Sequence, residues 1–355
     1  MAPNTRAKWD VTIGGHGHET TAVLLNDTVL DRHHGCTLVG RTIDRLAAAN
    51  GIQIIGRSPV HHDWRSDQKL LKVMETADLI LVNAEGTIHH DRPAGRLLLE
   101  AGAWAKERAI PSALINMTWE NNSAQSAKLL QAFSLVAVRE GVSYRELVAA
   151  GQSPLQAPDL ALYSAMARPQ PRSGIGVTDS VLPGVSTHLE ALRRCFSGRH
   201  ISILYGRTGP REWARAVRKF GGLASFSPRH TLRATTAAIS ERRSQTTNAD
   251  EFVNKVSCCR LLITGRFHAV IVALATQTPV LAVASNTHKI EATLGDAGLD
   301  AFRISRPQEI NAELIERSCT YSETEGQNLS AYLASGRRQI ETLFAAIKKI
   351  SKQRQ

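Results

Sequence analysis

The sequence is short of aromatic residues, 5% of 355, and has five cysteines, an odd number with no CxxC pair. Few aromatics leave few surfaces on which bases could stack, and no recognised nucleic-acid module is present, so no nucleic-acid partner is expected. An odd, unpatterned cysteine set excludes a disulfide framework and points to a reducing compartment. Long apolar runs are missing too: the most apolar stretch, 261–284, is broken by Arg266, His268, Gln277 and Pro279, which argues against a membrane span. The first 21 residues are polar and rich in Gly and His, unlike a secretory leader. HExxH, GxSxG and Cys/His spacings are absent, so Ser143 and Cys36 carry no nucleophile signature. The paired histidines (His16/His18, His33/His34, His61/His62, His89/His90) are accordingly expected to hold no metal.

What is present is an ordinary soluble composition, 43% hydrophobic and 21% charged, with a net charge of +11. That charge suits anionic substrates or an anionic membrane surface, and does not choose between them. Short apolar runs alternate with amphipathic segments. Strands are predicted at 21–27, 52–56, 78–86, 111–117 and 134–140, and helices at 35–51, 66–76, 94–108 and 123–132. A Pro/Arg/Ser stretch near residue 168 reads as a linker. Beyond it a second alternation is predicted: strands at 174–180, 200–206, 260–265 and 279–284, with helices at 186–197, 210–220 and 267–276. A Ser/Thr/Arg-rich loop is predicted over 224–247 and a helical tail from 307. The fold class is α/β, with two Rossmann-like domains, 1–168 and 169–306, facing a cleft, and a C-terminal helical tail, 307–355.

In such sheets ligands bind beyond the carboxyl ends of the strands. The segments there are "NDTVLDRHHGC", "NAEGTIHHDRP", "NMTWENN", "REGVS", "TGRFH" and "SNTHK", all dense in polar side chains. Within them Asn26, Thr28, His34, His89 and Asn116 are candidates to line the cleft or hold an acceptor. Asp27 and Glu85 are candidates for proton transfer, because a desolvated carboxylate can serve as acid or base. Arg266 and His268 open a helix after a glycine turn, in an otherwise apolar run. Two readings of Arg266 stay open: a guanidinium paired with an interior carboxylate, or one that meets an anionic ligand.

Six of these blocks, in one order, carry a resemblance: "LLNDT…HHGC", "EGTIHHD", "LINMTWENN", "VAVREGVSYRELVAAG", "PDLAL" and "ITGRFHAVIVALATQTPVLAVASNTHK". Together they resemble the polysaccharide pyruvyl transferase family over about residues 22–300. The resemblance implies a GT-B-like fold with an acceptor-side first domain and a donor-binding second one. It implies transfer of pyruvyl from phosphoenolpyruvate onto a sugar of a glycan or lipid-linked precursor, with no cofactor. Carried onto this chain, Arg139, Arg266, His268 and Lys289 are the expected grips on the donor's phosphate and carboxylate. His268 is also a candidate for proton transfer. The "AEGT" turn is poorer in glycine, and "DRHHGC" and "IHHD" richer in histidine, than the family pattern. The alternative is a glycosyltransferase taking a nucleotide-activated, CMP-linked acidic sugar such as Kdo or sialic acid. Either enzyme is expected in the cytoplasm, with the basic tail adding peripheral association at the inner face of the membrane.

Overall fold

The computed structural model describes residues 19–167, 170–205 and 247–352. The first half builds a sheet from β1 (Thr20–Asp27), β2 (Ile52–Pro59), β3 (Leu79–Asn83), β4 (Ser112–Met117), β5 (Leu135–Val138) and β6 (Leu155–Gln156). Between them run α1 (His34–Ala49), α2 (Gln68–Thr76), α3 (Pro93–Glu107), α4 (Ala124–Leu130) and α5 (Gly141–Ala149), and α6 (Ala161–Ser164) follows. The helix starts are written locally. Asp67, Ser123 and Glu140 cap α2, α4 and α5 through their side chains, and a proline opens α3 where no N–H is needed. All strands pair in parallel in the order β2-β1-β3-β4-β5-β6. The central strands are buried along their length, so they read as continuous apolar runs, as sheets covered by helices on both faces do.

The second half repeats the plan with β7 (Ile175–Ser180), α7 (Pro183–Cys195), β8 (Arg199–His200), α8 (Ala249–Ser257), β9 (Leu261–Gly265), α9 (Phe267–Ala275), β10 (Val280–Ala282) and α10 (Lys289–Asp296). Its parallel sheet has the order β10-β9-β7-β8. Two more helices follow, α11 (Ala312–Ser318) and α12 (Glu323–Ser351). A capping box between Ser322 and Glu325 starts α12, and Glu325 also receives the fully buried Arg303 guanidinium. Leu329, Leu333, Ile340, Leu343, Phe344 and Ile347 of α12 then join one apolar core with β1, β3, α1, α8 and α9. Near its end Lys348 donates to Gly51 O at 2.9 Å, so the C-terminal helix is fastened to the first sheet. None of the described helices is long and apolar enough to cross a membrane.

Several expectations change. The strand predicted at 200–206 shrinks to the two-residue edge strand β8, and Leu204 instead bridges to His33 of the first half. Polar Ser202, whose hydroxyl accepts from Leu204 N, interrupts the ladder there. The helical tail consists of two helices, α11 and α12. Helices α5, α8 and α10 are additions to the predicted elements, although each carries a side-chain cap or an acidic first turn in the sequence. The predicted helix at 210–220, and the predicted loop at 224–247 except for Thr247, lie outside the described residues.

Candidate active site

Each sheet reverses its strand order once, between β1 and β3 and between β7 and β9, and these reversals are where open α/β sheets bind ligands. In the first sheet the reversal leaves Asn26, Asp27 and Thr28 beside Asn83 and Glu85. In the second it leaves Asp179 beside Arg266. His268, two residues beyond Arg266, carries the contact across the halves to Glu85.

At the first reversal the chain turns sharply within β1 and β4. Asn26 and Asn116 both have φ of 60°, where the sheet register also shifts. Asparagine tolerates this left-handed conformation better than other non-glycine residues, which makes the two positions bulges that re-aim the strand ends. Asn26 donates to Asn83 O at 2.6 Å, and Asn116 Oδ1 accepts from Leu160 N at 3.2 Å while its Nδ2 is buried without a partner.

Glu85 is the centre of the cluster. Thr28 Oγ1 donates to its Oε2 at 2.7 Å and Asn83 Nδ2 at 3.3 Å, while Cys36 Sγ donates to Oε1 at 3.0 Å. From the second half, His268 Nε2 comes to 3.2 Å from Oε1 and 3.7 Å from Asp159 Oδ2, yet is aligned with neither for a hydrogen bond. The close approach depends on Gly35 in the first turn of α1. A Cβ there would lie 2.2 Å from His268 Cγ. The same Asp159 pairs with Arg139 at 2.9 Å, with both side chains essentially inaccessible. Arg139 also donates to Thr118 at 2.7 Å and lies over the Phe267 ring at 4.3 Å.

Beside Arg139 the site becomes strongly positive. Lys289 is buried at 8% exposure and donates only to neutral oxygens, Asn286 Oδ1 at 2.7 Å and Thr287 Oγ1 at 3.0 Å. Burial first, and then the Arg139 charge, push its ammonium down to about 7. His89 is buried too and is pushed down to about 4, by burial and then by Arg92 and Lys289. Its Nδ1 meets His90 at 2.9 Å and its Nε2 has no partner. Among the described residues no carboxylate lies within ion-pair distance of Lys289.

The expected residues therefore separate. Glu85, His268, Thr28, Asn26 and Arg139 form one connected network, with Lys289 and His89 in the positive region next to Arg139. Asp27 turns instead to Arg57 at 2.9 Å. His34 packs in the core, its ring 5.2 Å from Phe252 and 4.2 Å from Tyr205, rather than lining the cluster. Arg266 is paired with a carboxylate, but not an interior one: Nε and Nη2 grip the two oxygens of Asp179 at 2.7 and 2.5 Å, and both side chains stay partly open to solvent. Asp159, Cys36, Asn83 and Thr118 were not singled out for the site. Each lies in a segment that the sequence marks, Asn83, Thr118 and Cys36 in strand-end loops and Asp159 in "PDLAL".

The polysaccharide pyruvyl transferase model matches residues 31–287. Among solved structures, a UDP-GlcNAc 2-epimerase from Methanocaldococcus jannaschii has a TM-score of 0.52 at 10% identity, covering 91% of this chain and 99% of its own. An α,α-trehalose-phosphate synthase (UDP-forming) from Burkholderia vietnamiensis gives 0.51 at 11% identity, covering 92% and 96%. These likenesses identify the fold as GT-B-like. No curated protein matches the sequence.

Proposed function

The chain belongs to the polysaccharide pyruvyl transferase family, and we propose that it transfers pyruvyl from phosphoenolpyruvate to a sugar of a glycan or lipid-linked precursor. The observation that carries this reading is Lys289. A buried ammonium with no carboxylate at ion-pair distance among the described residues, beside Arg139 and a neutral His89, is costly until an anion arrives. Phosphoenolpyruvate brings a phosphate and a carboxylate on a small frame, which matches so compact a set of donors.

The Glu85–His268 contact adjoins that region through Asp159 and Arg139. A proton delivered to the methylene carbon of the donor makes it a methyl and leaves an oxocarbenium-like carbon. One sugar hydroxyl attacks that carbon, and a second displaces phosphate to close a ketal. Two hydroxyl protons are released, one balancing the new methyl and one leaving with phosphate. A carboxylate and an imidazole in contact can relay both. Buried donors fixed before the reaction stabilise the developing phosphate charge. The +11 net charge favours capture of anionic donor and acceptor alike. The odd, unpatterned cysteine set supports a cytoplasmic site of action, with the basic C-terminal helix end against an anionic membrane surface.

Thermal denaturation with added ligand tests the donor. Phosphoenolpyruvate is expected to raise Tm in proportion to the logarithm of its concentration, and Lys289→Ala to remove the effect. Stabilisation by CMP with no response to phosphoenolpyruvate overturns the reading in favour of a sugar-nucleotide donor.

A further inference from the structure

The histidine-rich "DRHHGC" turn is only partly used by the site described above. His33 and Cys36 lie one helical turn apart at the start of α1, on one face, and His268 faces them from the other half of the molecule. These three side chains each offer one ligand atom, and the atoms all lie within 4.8 Å of one another. Glu85 Oε1 sits against two of them, 3.0 Å from Cys36 Sγ and 3.2 Å from His268 Nε2. A tetrahedral zinc site, with bonds of about 2.0–2.3 Å, has ligand–ligand edges of roughly 3.3–3.7 Å, so the three ligand atoms close by up to about 1.5 Å to form such a cage, and Glu85, already against Cys36 and His268, swings in as the fourth ligand. His268 is 8% exposed, and its Nε2 is directed into the cluster without an aligned hydrogen-bond partner. Two imidazoles, a thiol and a carboxylate form the mixed N, S, O donor set that borderline and soft divalent ions select over magnesium or calcium.

We propose that His33, Cys36 and His268, completed by Glu85, form a binding site for a divalent transition-metal ion of the zinc class, spanning the two halves. On binding, the Cys36 S–H bond breaks, its proton leaves to solvent, and the thiolate takes up the metal bond; the imidazoles bind as neutral ligands. Resting on the proposed function, the consequence is inhibition, because an occupied site withdraws Glu85 and His268 from proton transfer.

Cobalt(II) is the probe. Metal-free full-length protein titrated with Co²⁺ is expected to bind one equivalent with a thiolate-to-cobalt charge-transfer band, which Zn²⁺ abolishes by displacement. Cys36→Ser is expected to lose that band, and His33→Gln to weaken binding at least about tenfold. No saturable band in the wild-type protein, or a band that persists in Cys36→Ser, overturns the site. Phosphate release from phosphoenolpyruvate in the presence of an acceptor saccharide, followed as Zn²⁺ is added, tests the consequence. Loss of turnover at the midpoint of cobalt displacement, restored by chelator, supports it, and turnover unaffected by a saturated site overturns it. Donor binding by the metal-free protein is measured separately, so failure of the donor reading is distinguishable from failure of the site.

Discussion

The Glu85 carboxylate, just past β3, and the His268 imidazole, in the first turn of α9, meet at 3.2 Å although they come from opposite halves of the chain. Each arrives at the strand-order reversal of its own sheet, so the contact joins the two places where this architecture binds ligands. Glu85→Gln keeps the volume and an oxygen acceptor for Thr28 but removes the charge that can exchange a proton with His268. We expect kcat for phosphate release to fall about 10²- to 10⁴-fold with KM for the donor within a few-fold of wild type. A raised KM with unchanged kcat would instead make Glu85 a binding group.

Arg139 and Asp159 form a buried ion pair at 2.9 Å, and each has a second partner: Thr118 Oγ1 accepts from Arg139 Nε, and Asp159 Oδ1 accepts from Ala161 N. Removing one member leaves the other charged and dry. Arg139→Ala is expected to cost about 3–5 kcal/mol, read as a lower denaturant midpoint at unchanged slope. A loss near zero would mean that water enters the pair.

Lys289 sets a pH dependence for donor binding. In the free protein its ammonium is held down near 7 by burial and by Arg139, and an anion beside it restores the charged form. Affinity for phosphoenolpyruvate is therefore strongest below pH 7 and declines above it, by up to about tenfold per pH unit. Binding near neutral pH takes up a proton, which calorimetry in buffers of different ionisation heat detects. Lys289→Gln should flatten the profile, and a wild-type profile level from pH 6 to 9 would remove Lys289 from the donor site.

Much of this was legible in the sequence because buried parallel strands advertise themselves. Runs such as "DLILVN" and "RLLITG", short, apolar on both faces and bounded by polar turns, fit a covered sheet, and the polar residues that follow them mark the site edge. Less legible was partner choice. That Arg266 would pair with Asp179, at the end of a strand far off in sequence, is recorded nowhere in the pattern. His33 and His34 are neighbours in sequence, yet the helix start sends one toward His268 and the other into the core against Phe252. Such outcomes depend on which loops the topology brings together, and periodicity carries no record of that. The short strand β8 was overread for a similar reason: an apolar edge segment pairs only as far as its neighbour allows.

His288 joins the halves through charge. Its Nδ1 lies 3.2 Å from Glu120 and its Nε2 3.2 Å from Glu140, with Ser143 Oγ at 3.5 Å and Glu146 adding negative charge nearby. Burial opposes the imidazolium, but the Glu140 bond and the surrounding carboxylates outweigh it and raise the histidine above its usual value. Glu140 is lowered in turn, its burial overcome by the bonds from His288 and Ser143. The histidine's contribution to stability is thus full below its unfolded value and fades as pH rises through the raised folded one. The contribution of Glu140 holds above the ordinary carboxylate range and is lost as pH falls through its lowered value. Thermal scans across pH should show the stability lead of the wild type over His288→Gln shrinking as pH rises above the ordinary histidine range, while Lys289, held down near 7, contributes a rise with pH that both proteins share. An identical slope in the variant would assign the pH dependence elsewhere.

Gly35 tests how tightly the two halves must meet. A Cβ at this position would stand 2.2 Å from His268 Cγ and 2.3 Å from His268 Cβ, so turning the imidazole alone does not relieve the overlap. Either α1 or the start of α9 has to move, and both carry groups of the Glu85 cluster. Alanine is the better helix former by about 1 kcal/mol, which offsets part of the steric cost. The net expectation for Gly35→Ala is a destabilisation of about 1–3 kcal/mol from overpacking. Turnover should fall far more than stability predicts, because a displacement of about 1 Å at reacting groups can cost 10²-fold in rate. Denaturation and phosphate-release assays on the same preparation separate the two effects. Donor-induced stabilisation should survive, since the atoms that such a Cβ meets most closely are those of His268, not of Lys289 or Arg139. If Gly35→Ala retained wild-type turnover and stability, the approach of α1 to His268 would be looser than the geometry states.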